Sequence, residues 1–288
     1  ATMKKLTDVI VYDIFSPPVA SRVYMYPSVA SYAIIQKKHP EKYNSLVGQF
    51  KGFEAIPEPS NTNIDYNLAA IEAFFKVSKA LVFSEEQLTQ YQDSIYNDLK
   101  EKGLPNKVFE ASIEYGDKVA KHILEWADKD LYKQTRTYPQ YIIRDEPEFW
   151  KPTPPNYMQG IEPHWNKIRT VVIDSANQFV PKPPKEFDLT KGSPFMEELM
   201  QVYEVGGKSN CKNEDIASFW DCNPYVALHQ GHTMFANKKI TPGGHWIGIT
   251  SLATKKSKNS FDETINAYLN VSVALFDGFI SCWDEKWN

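Results

Sequence analysis

SFDETINAYLNVSVALFDGFISCWDEKWN, residues 260–288, is the stretch whose reading decides how this chain folds. Ser260-Phe261-Asp262-Glu263 is a capping box, in which the serine oxygen can accept from the third backbone N–H while the glutamate reaches back. Beyond it, Tyr268, Ser272, Leu275, Phe279 and Cys282 fall on one helical face, and Val273, Ala274, Ile280 and Ser281 on the opposite one. A helix that is apolar on two sides is expected inside a bundle. Lys286 continues the first face, one turn beyond Trp283. A lysine there either snorkels past the helix end, where it suits the negative end of the macrodipole, or meets a buried anion.

Helical punctuation recurs upstream. Ser16-Pro17-Pro18 sets an N-cap before prolines in the first helical positions, and an amphipathic run follows to about residue 38. Ser84-Glu85-Glu86-Gln87 is another capping box. Apolar spacing predicts further helices at about 65–82, 105–131, 163–179, 194–205 and 213–221. Alternating strand-like runs are almost absent, so the fold class is all-α. The proline-rich stretches 147–163 and 181–184 cannot be helix interior, because proline lacks the amide donor and clashes with the preceding turn. The first either separates a front layer (1–146) from a back layer (164–288) of a single helical domain, or straps across one bundle. No repeat period is visible, which disfavours a solenoid.

With 288 residues, 42% of them hydrophobic, the chain can bury a substantial core. Its net charge of −4 and scattered lysines argue against a nucleic-acid partner. The lysines at 255–258 read as a solvated loop. No stretch approaches the roughly 18 consecutive apolar residues of a membrane span. The first six residues carry lysines without a following apolar region, so no signal peptide is expected and the chain reads as mature or trimmed. Cys211, Cys222 and Cys282 have neither zinc nor disulfide-lattice spacing; Cys211 and Cys222 either pair or stay free.

The candidate sites weigh against familiar chemistry. His229, His232 and His245 lack the further ligands a metal would need, and no metal site is expected. The Pro242-Gly243-Gly244-His245-Trp246 stretch reads as a packed loop whose glycines allow close backbone approach. There is no Gly-x-Ser-x-Gly elbow, and Gly206-Gly207-Lys208-Ser209 lacks the first half of a phosphate loop. The pairs Glu85/Glu86 and Glu197/Glu198 sit in first helical turns, where carboxylates complement the dipole.

Several segments, taken in order, resemble the vanadium-dependent haloperoxidases and the related type 2 phosphatidic acid phosphatases, most closely the bacterial secreted branch. They are residues 13–22 (Asp13-Ile14-Phe15-Ser16-Pro17-Pro18-Val19-Ala20-Ser21-Arg22), residues 164–170 (His164 to Thr170), Phe219-Trp220-Asp221, residues 241–246, Ala274-Leu275-Phe276-Asp277-Gly278, and Cys282-Trp283-Asp284-Glu285-Lys286-Trp287. The resemblance implies a double four-helix-bundle fold of which this chain is the front portion, with the catalytic bundle expected beyond residue 288 and absent. It implies an oxyanion cradle assembled from a lysine followed by Arg-Pro, then Pro-Ser-Gly-His, then Ser-Arg with a later histidine. Preorganised cations stabilise vanadate, or a phosphoryl-transfer transition state, through charge on several oxygens. Lys286 matches the first-motif lysine and Trp283 the tryptophan packing beside it. All four arginines (Arg22, Arg136, Arg144, Arg169) precede that motif, and Pro242-Gly243-Gly244-His245 comes before the lysine instead of after it, so His245 is not read as the catalytic histidine.

The resemblance therefore implies vanadate as the cofactor of a full-length peroxidase that oxidises halide with hydrogen peroxide, or a related acid phosphatase activity. No cofactor is expected on this chain alone, which is expected to be inactive. The expected partner is the missing C-terminal bundle or a second copy in a homodimer, with no nucleic acid and no membrane span. The rival reading is a non-catalytic helical binding or interaction module. Localisation by resemblance is periplasmic or secreted.

Overall fold

A computed structural model describes residues 1–287 except 155–156, 208–210, 225 and 231–232; of residues 226–230 and 233–237 only the backbone is described. The described residues form ten α-helices: α1 (Thr2–Tyr12), α2 (Pro17–Lys38), α3 (Tyr66–Leu81), α4 (Glu85–Glu101), α5 (Asn106–Ala127), α6 (Tyr132–Thr135), α7 (Pro194–Gly207), α8 (Cys211–Trp220), α9 (Pro242–Lys256) and α10 (Phe261–Trp287). A 3-10 turn, Trp165–Lys167, precedes α7. A single antiparallel hairpin pairs β1 (Val226–Gln230) with β2 (Thr233–Asn237), Val226 opposite Asn237. The all-α expectation holds, with this hairpin as a small addition.

The centre of the molecule is α2. The sequence reads as amphipathic there, but every residue from Pro18 to Ile35 is buried. The helix is enclosed on all sides, with α3, α5, α9 and α10 packed around it. Such a helix can carry hydroxyls only if they find partners. Tyr24 donates to Thr7 Oγ1 (3.1 Å), Ser31 to the Ala70 carbonyl (2.9 Å) and Tyr32 to the Asn44 carbonyl (3.0 Å). Ser16 stands at the N-cap position, but its buried hydroxyl has no partner. Pro17 and Pro18 remove two of the amides it could have capped.

Small residues set the helix spacing. A Cβ on Gly116 of α5 would lie 2.6 Å from Glu72 Cβ and 2.7 Å from the Ala69 carbonyl oxygen of α3. Only glycine allows that approach. The second capping box is rewired: Ser84 caps nothing within α4, and its hydroxyl donates to Asp13 Oδ1 (2.5 Å). Asp13 Oδ2 accepts the amides of Phe83 (2.9 Å) and Ser84 (3.0 Å), so the end of α1 caps the start of α4.

Two further expectations are corrected. Residues 163–179 contain only the 3-10 turn, because their backbone groups are claimed from outside. Asp277 Oδ1 accepts the amide of Val171 (2.7 Å), and Asp277 Oδ2 those of Val172 (2.7 Å) and Ile173 (3.1 Å). Lys51 Nζ donates to the carbonyls of Ile173 and Asp174. The β-branched run Ile168, Thr170, Val171, Val172 and Ile173 also disfavours helix. Residues 242–256 are helix α9 rather than a packed loop, so Lys255 and Lys256 form its last turn.

Helix α10 begins as expected. Ser260 N–H donates to Glu263 Oε2 (2.9 Å) and Glu263 N–H to Ser260 Oγ (3.3 Å), closing the capping box. Its burial differs from the two-faced expectation: Leu269, Ser272, Val273, Phe276, Asp277, Ile280, Trp283 and Asp284 are buried, while Ala274, Gly278 and Cys282 are exposed. By length and composition α10 could cross a bilayer. Here one side of it packs against α2, α9 and the 3-10 turn.

Candidate functional site

The last turn of α10 is held by polar side chains that face inward. Asp284 Oδ1 accepts from Asn166 Nδ2 (2.7 Å), and Trp283 Nε1 donates to the Ile161 carbonyl (2.8 Å). These contacts tie residues 161–166 to the end of the helix and fix the Trp283 indole. The exposed Lys286 ammonium lies 4.8 Å from the centre of that ring and 5.8 Å from that of Trp287. Two aromatic faces thus hold a cation at the negative end of the helix.

Segments far apart in sequence meet there. Pro17 from the start of α2, Trp220 and Asp221 at and just after the end of α8, Pro242 from the start of α9, and Trp283 with Lys286 from α10 line an open cavity of about 370 Å³. The start of α9 approaches closely because its Thr241 cap accepts the Gly244 amide (3.1 Å). A Cβ on Gly244 would fall 2.6 Å from Ile240 Cγ1 and 3.0 Å from the Tyr24 hydroxyl oxygen, so glycine is required there.

His245 is anchored beside this cavity. Its Nδ1 lies 3.3 Å from Cys222 Sγ, and its ring stacks on Trp220 at 5.2 Å with Phe219 edge-on at 5.8 Å. Burial and the neighbouring Asp221 charge push the Cys222 thiol up, so it stays protonated at neutral pH. The three cysteines are free thiols. The sequence offered Cys222 only as a possible partner of Cys211, and its contact with His245 carried no local signal. His232 lies outside the described residues, as does the side chain of His229. Among the described residues no group of three metal-ligating side chains occurs.

The charge balance decides what this cavity can hold. Among the described residues Lys286 is the one lysine or arginine lining it. Lys239 is bound to Asp221, whose carboxyl that hydrogen bond holds below its usual range, so an anion here would also meet an ionised carboxylate. Every arginine is engaged elsewhere. Arg22 pairs with Asp130, Arg136 with Glu162, Arg169 bonds the Trp126 carbonyl, and Arg144 lies 4.2 Å over Phe149. An oxyanion with charge on several oxygens needs several preorganised donors. The described residues therefore do not by themselves fit vanadate.

The fold and the pocket define a helical-bundle protein in which, among the described residues, a single lysine at the end of the last helix lines a pocket. Neither a family model nor a curated protein sequence matches the chain. Among solved structures, the crystal structure of the first bacterial vanadium-dependent iodoperoxidase is similar with a TM-score of 0.90 and 48% identity, covering 99% of this chain and 68% of that one. The chain belongs to the vanadium-dependent haloperoxidase superfamily.

Proposed function

We propose that this chain is the helical scaffold of a vanadium-dependent haloperoxidase, with Lys286 as the first cationic donor of its oxyanion cradle and iodide as its halide. One observation carries the reading: Pro17, Trp220, Pro242, Trp283 and Lys286 converge on one cavity. The similar bacterial iodoperoxidase supports it, and its description supplies iodide as the first halide to test. Vanadate would supply the activation of hydrogen peroxide. This chain's part is to hold one ammonium on a rigid aromatic floor. In this proposal the remaining cations and the histidines come from sequence outside these 288 residues, the chain by itself is inactive, and the whole protein works in the periplasm or outside the cell.

The test is iodide oxidation, followed as triiodide absorbance with vanadate and peroxide, for the 288-residue chain and for a version continued with the similar enzyme's remaining segment. The chain alone should stay at the uncatalysed rate. The continued protein should turn over and lose about 100-fold or more with Lys286→Ala, as removal of a preorganised donor does. Full activity in that variant would refute the assignment of Lys286, and turnover by the chain alone would refute its inactivity.

A second reading, a helical interaction module, is favoured by α7 and α8. Their described side chains include no buried residue, yet Val202, Tyr203, Val205 and Phe219 are exposed. A surface of that kind marks a binding face. Under this reading the continued protein shows no peroxidase activity and the 288-residue chain self-associates in sedimentation.

A further inference from the structure

A second cavity is lined by residues between Thr135 and His164. We propose that it binds an uncharged planar aromatic molecule carrying a hydroxyl, of the phenol class. The inference does not depend on the peroxidase reading. The cavity measures about 570 Å³, and its wall is aromatic: Tyr138, Tyr141, Trp150 and Tyr157. Roughly 300–1,000 Å³ with mainly apolar and aromatic walls is the usual range for a small-molecule site. The rings are open to it and not spent on the core, since Tyr138 is 41%, Trp150 40% and Tyr157 63% exposed. Tyr141 and Trp150 meet edge to face at 5.7 Å and both also pack on Trp287, at 4.8 and 5.4 Å, so an inserted ring would stack on the faces this cluster turns to the cavity.

Charge selects the ligand class. Arg136 and Glu162 line the cavity but satisfy each other as an ion pair. A charged ligand would have to break that pair, whereas a neutral one leaves it intact. The amides of Gln140 and Gln159 line the wall and offer donors and acceptors for a hydroxyl.

Two non-glycine residues of the wall have left-handed backbones, Tyr157 (φ 46) and Glu162 (φ 53). Conformations of that kind persist where surrounding structure over-determines them, and they cluster at ligand clamps. Gly160 in the wall packs against the end of α10. A Cβ on Gly160 would lie 2.5 Å from Trp287 Cη2, and the next residue, Ile161, lines the Lys286 cavity. The two cavities thus lie on opposite sides of one short backbone segment.

The test is fluorine NMR of 4-fluorophenol titrated against the 288-residue chain, without vanadate or peroxide. Saturable line broadening is expected, weakened about tenfold by Trp150→Ala and by Tyr157→Ala, the loss of about 1.4 kcal/mol of stacking. Phe83→Ala, an exposed aromatic ahead of α4 and outside both cavities, should leave it unchanged. Absence of saturation, equal weakening by Phe83→Ala, or 4-fluorobenzoate binding as tightly as the phenol would each overturn the proposal. If Trp150→Ala does not fold, Tyr157→Ala decides alone, since its ring is mostly in solvent.

Discussion

Removing the Asp130 carboxylate should cost this protein more than any comparable change on its surface. Asp130 is 1% exposed and accepts from Arg22 Nε at 2.7 Å, from the Tyr26 hydroxyl at 2.8 Å and from the Tyr132 amide at 2.9 Å. Arg22 is itself buried, its guanidinium 4.9 Å from the centre of the Tyr26 ring and 4.5 Å from that of Tyr132. Asp130→Leu would leave a guanidinium, a phenol and an amide without their acceptor in a place water does not reach. Breaking one side of a buried pair typically costs about 3–5 kcal/mol. Against a domain stability of roughly 5–15 kcal/mol that is a large share. At about 2–4 °C per kcal/mol, the midpoint should fall by roughly 6–20 °C. Thermal unfolding followed by circular dichroism measures the midpoint, and urea unfolding the free-energy cost. The reasoning has a second, sharper consequence: Arg22→Met combined with Asp130→Leu should recover most of the loss, because removing both charges also removes their desolvation cost. A single-variant cost below about 1 kcal/mol, or a double variant less stable than either single one, would refute it.

Other expectations follow from the same contacts. Asp277→Ala frees the amides of Val171, Val172 and Ile173, should cost about 2–4 kcal/mol because one of those groups is fully buried, and should raise hydrogen-exchange rates at all three. Burial, then the nearby Asp117 charge, pushes Glu72 from its ordinary 4.5 up to about 7. The unfolded chain therefore ionises first, and stability should fall as pH rises from about 4.5 through about 7, by on the order of 2–3 kcal/mol. Glu72→Gln should flatten that slope in denaturation curves taken across the range; an unchanged slope would place its origin elsewhere. Gly116→Ala would ordinarily gain helix propensity, but its Cβ meets Glu72 and the Ala69 carbonyl, so thermal unfolding should show a net loss of about 1–3 kcal/mol.

Much of the helical framework was legible from local signals. The spacing placed helices at 65–82 and 105–131, close to the observed Tyr66–Leu81 and Asn106–Ala127. The Ser260/Glu263 box opened α10 as read, and the order of short motifs pointed to the superfamily. Those signals are properties of neighbouring residues, since a cap or a helical period acts over one or two turns. What they could not supply was anything made between distant residues. The side of α10 that is buried depends on what packs against it, so Cys282 and Ala274, read on its two apolar faces, are in fact exposed. Residues 163–179 look helical by spacing, but Asp277, over a hundred positions later, claims the amides of Val171, Val172 and Ile173. The meeting of Pro17, Trp220, Pro242 and Lys286 around one cavity exists only in three dimensions. Sequence alone settled helices such as α3 and α5 and the start of α10; only tertiary packing decided which face the last helix buries and what surrounds its final turn, because both are set by partners that local chain geometry does not see.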